Sequence, residues 1–223
     1  VDMMDALKIP VISGKDSLSS TYRGRNGEVI KIPPVYTFSV FGRIPDVEKT
    51  MTTDIKKPGE TDLYLVGSLD ANGMGGSTYY DVLSGSSEKM PSIYPEQLIP
   101  TLKVVQEAIS SGNVLACHDV SEGGIATTIS EMCFGSDCGA EIDVPSTYDP
   151  EQALFNETAG RFVIEVDKSV DAKKLFGNAD FARIGSTTQQ AVIKIAQGKK
   201  LFSVSTDELK KAWQAPLQGV FHD

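Results

Sequence analysis

The residue types best suited to chemistry stand together at His118-Asp119-Val120-Ser121-Glu122-Gly123-Gly124. An apolar run, Val114 to Cys117, leads straight into them, and an amphipathic segment follows. In α/β sheets ligands bind at the ends of strands, beside helix N-termini. Asp119 supplies a hard carboxylate oxygen of the kind Mg²⁺ takes alongside phosphates. Ser121 suits a helix N-cap, and the N–H groups of a first helical turn attract anions. Gly123 and Gly124 let a backbone or a ligand approach closely. A plainer reading is also open: Ser121 only caps, Asp119 only supports the turn, and a lone His118 is structural.

Three other segments compete for attention. Ser13-Gly14-Lys15-Asp16-Ser17-Leu18-Ser19 packs a glycine, a cation, a carboxylate and hydroxyls after an apolar run. Glycine with lysine suits phosphate and Asp16 suits a metal, although the Walker spacing is absent and a polar turn after a strand is common. Asn156-Glu157-Thr158-Ala159-Gly160-Arg161 sets a Glu and an Arg before a strand, either as ligand contacts or as a structural ion pair. Gly73-Met74-Gly75-Gly76-Ser77 is a turn without the dinucleotide fingerprint. With two histidines, His118 and His222, no Ser–His–Asp order is credible. Cys117 and His118 are adjacent strand residues that point to opposite faces, so they cannot act as nucleophile and base.

The elements that must position these groups fall into two stretches. Residues 1 to about 50 open with Asp2–Leu7 as helical turns, then carry strand signals at Pro10–Ser13 and Tyr36–Ile44 around a polar excursion at Tyr22–Glu28 with turn chemistry and no fixed packing. A polar link from Pro45 to Thr61, ending in Pro58-Gly59, marks the boundary. From residue 58 the pattern is α/β. Strands are expected at Leu63–Gly67, Val114–Cys117, Phe162–Val166, Phe181–Ile184, Ala191–Ile195 and Leu201–Val204. Helices are expected at Pro95–Ser111, with Gly112 as C-cap, and at Gly124–Phe134. Ser205 with Glu208 reads as a capping box opening a terminal helix that carries Leu209 and Trp213, with Lys210 and Lys211 on a solvated face. The expected fold is α/β (α+β): a mixed sheet covered by helices, preceded by part of a β-rich domain.

Composition narrows the function classes. At 40% hydrophobic the 223 residues suit a globular core, and a net charge of −9 argues against duplex DNA or an anionic membrane as partner. No apolar run reaches the length of a membrane span and no signal-peptide pattern is present. Cys117, Cys133 and Cys138 lack metal-site spacing and read as reduced thiols, which points to the cytoplasm. Val1 is no initiator and the first helix lacks a start, so the chain is expected to be a C-terminal fragment or a product of proteolysis.

Taken in order, Gly14-Lys15-Asp16-Ser17-Leu18-Ser19, the Gly-Met-Gly-Gly-Ser turn, His118 to Gly124 and Phe155-Asn156-Glu157-Thr158-Ala159-Gly160-Arg161-Phe162 resemble the phosphoribosylformylglycinamidine synthase family, over nearly the whole chain. That resemblance implies the second half of its synthetase subunit, built on the aminoimidazole-ribotide-synthetase plan. Residues 1–50 would be the tail of a β-rich N-terminal-type domain and residues 58–223 a C-terminal-type α/β domain. It implies an ATP-dependent C–N ligase of purine biosynthesis that converts formylglycinamide ribonucleotide to the amidine. ATP phosphorylates the amide oxygen, and ammonia from a glutaminase domain or subunit displaces the phosphate.

Gly14 and Lys15 would then contact nucleotide, Asp16 a metal, and Ser17 the substrate. The smaller relatives carry Asn where this chain has Lys15, which shifts the metal role there to Asp16. Asp119 would ligate Mg²⁺ and Ser121 would touch a tightly held ATP or ADP that does not turn over. Glu157 stands at a substrate-binding position. No catalytic residue is implied here, because the family's proton-accepting histidine belongs to the other half of the synthetase. The fragment alone should be inactive, with the missing N-terminal half and the glutaminase as partners and a dimer as a further arrangement. Two alternatives remain: a single-copy relative such as aminoimidazole ribotide synthetase or a small-molecule kinase, and a non-catalytic nucleotide-binding assembly module.

Overall fold

The computed structural model describes residues 2–15, 21–31, 35–86, 89–145 and 147–218. The chain divides into two compact units, residues 1–47 and 48–223.

In the first unit a short helix α1 (Asp2–Leu7) is followed by a hairpin of β1 (Thr21–Arg23) and β2 (Val29–Lys31), with Tyr22 opposite Ile30. Gly27 has φ +79° and Gly24 N–H donates to the Glu28 carbonyl at 2.8 Å. The excursion expected to lack fixed packing is therefore an ordered hairpin. Strands do not form at 10–13 or 36–44, contrary to expectation. A strand is defined by ladder bonds to a neighbour. Neither segment has such a neighbour among the described residues, and Val11, Ile12, Tyr36, Phe38 and Val40 stay exposed. Apolar alternation there is a pattern without a sheet.

The second unit is a seven-stranded sheet of β3 (Thr61–Val66), β4 (Val114–Asp119), β5 (Gly139–Asp143), β6 (Phe162–Asp167), β7 (Phe181–Thr188), β8 (Val192–Gln197) and β9 (Lys200–Ser205). The spatial order is β4-β6-β3-β7-β5-β8-β9, antiparallel throughout except for the parallel β5–β8 pair. Among the described residues six α-helices accompany it: α2 (Thr78–Val82), α3 (Pro95–Ser110), α4 (Gly124–Phe134), α5 (Pro150–Phe155), α6 (Ala172–Phe176) and α7 (Thr206–Gln218).

Strand alternation sorts the core into two faces. On one, Leu63, Ala116, Val163 and Ile142 meet Ile125, Ile129 and Met132 of α4 and Leu154 of α5. On the other, Val66, Val114, Ile164 and Val166 meet Val105 and Ala108 of α3 and Phe176 of α6. The sheet is thus the middle of three layers, the α/β arrangement expected. Lys210, expected on a solvated face, instead donates from Nζ to the Phe134 carbonyl at 2.7 Å and pairs with Asp137 at 3.1 Å. It ties α7 to the C-terminal end of α4, where a cation meets the helix dipole.

The polar link packs onto this unit. Ile55 is buried, and Glu165, fully buried in β6, accepts from Lys56 N–H at 2.8 Å, Lys57 N–H at 3.0 Å and Thr61 Oγ1 at 2.9 Å. A carboxylate buried among apolar strands is tolerable only when hydrogen-bonded. Here the donors come mostly from backbone more than 100 residues away. Glu165→Ala strands these donors and should lower the unfolding free energy by about 3 kcal/mol, while Glu165→Gln should lose less. Urea denaturation reads both, and a loss under about 1 kcal/mol for the alanine variant would contradict this account.

Candidate functional site

The His118–Gly124 turn leaves the C-terminal end of β4, which sits at one edge of the sheet. Val120 N–H donates to the Arg161 carbonyl at 2.8 Å, so the turn extends the β4–β6 pairing by one bond. Its two glycines follow from left-handed backbone and close contact. Gly123 and Gly124 have φ +78° and +65°, and a Cβ on Gly124 would lie 2.5 Å from the Leu154 carbonyl oxygen. The close approach anticipated from these glycines is made by the end of α5.

Ser121 does not cap the helix. The N-cap of α4 is Gly123 in the left-handed region, with no side-chain cap, and the Ser121 hydroxyl donates to Asp119 Oδ2. The expected capping fails because Glu122 and the N-cap Gly123 stand between Ser121 and the first helical residue, Gly124. The neighbouring N–H is satisfied from a distance. Glu157 Oε1 accepts from Gly123 N–H at 2.8 Å and from Thr78 N–H, at the start of α2, at 2.9 Å. A carboxylate held between two helix starts is favourably placed in both dipoles.

This carboxylate joins three of the sequence segments. The Gly-rich turn ends in Ser77, the N-cap of α2, and Glu157 links that start to the His118–Gly124 turn. Asn156, fully buried, donates from Nδ2 to the carbonyls of Asp70 at 2.8 Å and Gly73 at 3.0 Å, and its Oδ1 accepts from Thr158 N–H at 2.8 Å. Arg161 is fully buried too, with Nε donating to the Thr158 carbonyl at 3.1 Å and Nη2 to Asn156. No Glu157–Arg161 ion pair forms.

Asp119 is 61% exposed at the strand end, whereas His118 is 15% exposed and held at both ring nitrogens. Nδ1 lies 2.8 Å from the Asp119 carbonyl oxygen, and Nε2 lies 3.1 Å from Glu131 Oε2. Trp213 of α7 donates to the other oxygen of Glu131 at 3.0 Å. Neither Glu131 nor Trp213 was marked as a site residue by the sequence. The available signal was that Glu131 is the one charged residue of α4. Cys117 faces the opposite cluster, and burial first, then the Asp119 charge, raises its thiol pKa to about 11.

Of the remaining candidates, Gly14 and Lys15 are exposed in the first unit, and Asp16 and Ser17 lie outside the described residues. Among the described residues no group of three or more His, Cys, Asp or Glu is arranged to hold a metal by itself, and no helix is long and apolar enough to cross a membrane.

If Glu157 anchors two helix starts, Glu157→Ala should cost about 2 kcal/mol and Glu157→Gln, which keeps the acceptor, under about 1 kcal/mol. Equal losses in urea denaturation would show that the acceptor is not what matters.

The family model described as AIR synthase related protein, C-terminal domain, matches residues 57–196. Thermotoga maritima PurL complexed with FGAR superposes with TM-score 0.63 at 15% identity, covering 73% of this chain and 30% of that one. Thermotoga maritima PurL complexed with ATP gives 0.58 at 14% identity, over 73% and 27%. A HypE–HypF complex gives 0.50 at 15%, over 70% and 54%. At these identities the likeness is one of fold. The chain spans less than a third of the length of the PurL chains it matches.

Proposed function

The chain belongs to the AIR synthase related family through its C-terminal-type domain, and on that premise we propose that it is part of the synthetase of a phosphoribosylformylglycinamidine synthase. In this reading residues 48–223 are the C-terminal-type domain and residues 1–47 the tail of a β-rich N-terminal-type domain. The whole protein is an ATP-dependent ligase of purine biosynthesis that works in the cytoplasm with a glutaminase as ammonia source. The observation that carries the reading is the convergence on Glu157. Three motif segments, far apart in sequence and sharing the order of that family, meet at one carboxylate, which binds the turn that carries the exposed Asp119.

Asp119 and Ser121 are the groups this unit offers to a nucleotide, and Gly14, Lys15, Asp16 and Ser17 those the first unit offers to nucleotide, metal and substrate. Glu157 contributes through its second oxygen if it touches substrate, since both backbone donors fall on Oε1. Magnesium is usually held by one or two carboxylates together with phosphates and water. One exposed carboxylate at a strand end fits that donor set, so the ion arrives with the nucleotide rather than in a protein cage. When bound it neutralises phosphate charge. The chain's own residues orient it: Ser121 fixes one Asp119 oxygen, and Thr128 Oγ1 donates to the Asp119 carbonyl at 3.2 Å.

Calorimetric titration with Mg²⁺–ADP should give binding that falls at least tenfold, about 1.4 kcal/mol, in Asp119→Asn. Unchanged binding in that variant would remove Asp119 from the site. The purified chain should form no amidine from formylglycinamide ribonucleotide with ATP and ammonia, because phosphoryl transfer rests on a fully assembled set of positioning groups. Steady turnover by the chain alone would overturn the assignment to a dependent half.

A further inference from the structure

Glu131 and Trp213 take no part in the nucleotide reading, yet both lie on a chain of contacts that ends at Asp119. The two carboxylate oxygens of Glu131 go to different elements. Oε1 accepts from Trp213 Nε1–H of α7 at 3.0 Å, and Oε2 lies 3.1 Å from His118 Nε2 of β4. The other ring nitrogen of His118, Nδ1, lies 2.8 Å from the Asp119 carbonyl oxygen and 3.4 Å from its carboxylate Oδ1. Four side chains from three elements are thus joined end to end, from the terminal helix to the exposed carboxylate.

The two ends of this chain differ in how they are held. Asp119 is mostly exposed, so polar contacts rather than packing orient it. Ser121 donates to Oδ2, but it is exposed on the same turn and moves with Asp119. His118 is the contact that reaches back into the unit, since its ring is mostly covered and meets Glu131. At the far end α7 is fixed independently of Trp213. Thr206 Oγ1 donates to the Cys138 carbonyl at 2.8 Å, Leu209 packs against the core, and Lys210 Nζ donates to the Phe134 carbonyl. The Trp213 ring also rests on Phe134, with centroids 5.7 Å apart. An oxygen that must hold a metal ion needs partners behind it whose own orientation is locked by packing and outer hydrogen bonds. A fixed helix, a carboxylate shared between two donors and a covered imidazole make up such a backing.

We infer that Trp213 and Glu131 are positioning residues for Asp119, acting through His118. The terminal helix, which carries none of the motif segments, thereby sets the orientation of the oxygen offered to a metal-bound nucleotide. The inference rests on the nucleotide reading and adds to it the device that aims its carboxylate.

The test is calorimetric titration of ADP, with Mg²⁺ and with EDTA, into the 223-residue chain and its Trp213→Phe, Glu131→Ala and Asp119→Asn variants. The quantity compared is the magnesium gain, the ratio of ADP affinities with and without the metal. Loss of an outer partner of a metal ligand costs about 10- to 100-fold in metal affinity. A gain of at least about tenfold in the unaltered chain should therefore shrink at least about threefold in Trp213→Phe and in Glu131→Ala, with metal-free ADP affinity within about twofold. Trp213 is 58% exposed, so phenylalanine there removes the donor, keeps a ring against Phe134 and leaves the core intact. A full magnesium gain in either variant would overturn the inference. So would equal weakening with and without the metal, which is what mere loosening of the fold would give. Asp119→Asn separates the two readings. If it loses the gain while the other variants keep it, the nucleotide reading stands and the positioning chain falls. If it keeps the gain, or the unaltered chain shows none, both fall.

Discussion

The α/β unit depends on one short polar stretch, Asn156 to Thr158, entering the core with its side-chain hydrogen bonds met. A loop cannot enter a core unless each of its polar groups finds a partner. Asn156 meets this requirement by bonding to the carbonyls of Asp70 and Gly73, and Thr158 by turning back onto Asn156 and receiving Asp70 N–H. Glu157 does so by receiving two backbone N–H groups. Those same bonds fix the loop after β3, the start of α2 and the start of α4. Gly67, at φ +113°, lets β3 end against the residues that follow this stretch: a Cβ there would lie 2.4 Å from the Gly160 carbonyl oxygen. The site's geometry is a by-product of satisfying this buried segment.

How much was legible in the sequence differs by element, and the reasons are physical. The helix Gly124–Phe134 was readable end to end because glycines bracket a run with helical apolar spacing. The central strands were readable as short β-branched runs. β5 was not: Gly-Ala-Glu-Ile-Asp carries one large apolar residue and is held by neighbours on both sides. The short helices α2, α5 and α6 span five or six residues, too few for periodicity to register. Residues 36–44 failed in the opposite sense, since alternation predicts a strand only when another strand is there to pair with.

The site was legible as segments, not as an assembly. Spacing marks His118–Gly124 and Asn156–Arg161 as unusual, but the bonds joining them span 34 residues, and those joining Glu157 to the Gly-rich turn span 79. Nor could the sequence distinguish Arg161 as an ion-pair partner of Glu157 from what it is, a buried cation bound to carbonyls. That difference lies in the partners its side chain takes, Thr158 and Asn156, a fold-back that no spacing announces.

The turn's chemistry follows from the same constraint. A general base needs a nitrogen lone pair aimed at substrate. His118 has one ring nitrogen against the Asp119 carbonyl and the other against Glu131, which is itself held by Trp213. Its role is to hold the end of β4 against α4 and α7. Cys117 points into the other face, with its thiol pKa raised well above neutrality. Outward the turn presents Ser121, Glu122 and the Asp119 carboxylate, the last braced by Ser121 and by Thr128 through the backbone. The turn thus presents an outward carboxylate braced from two sides, with a histidine behind it engaged at both ring nitrogens.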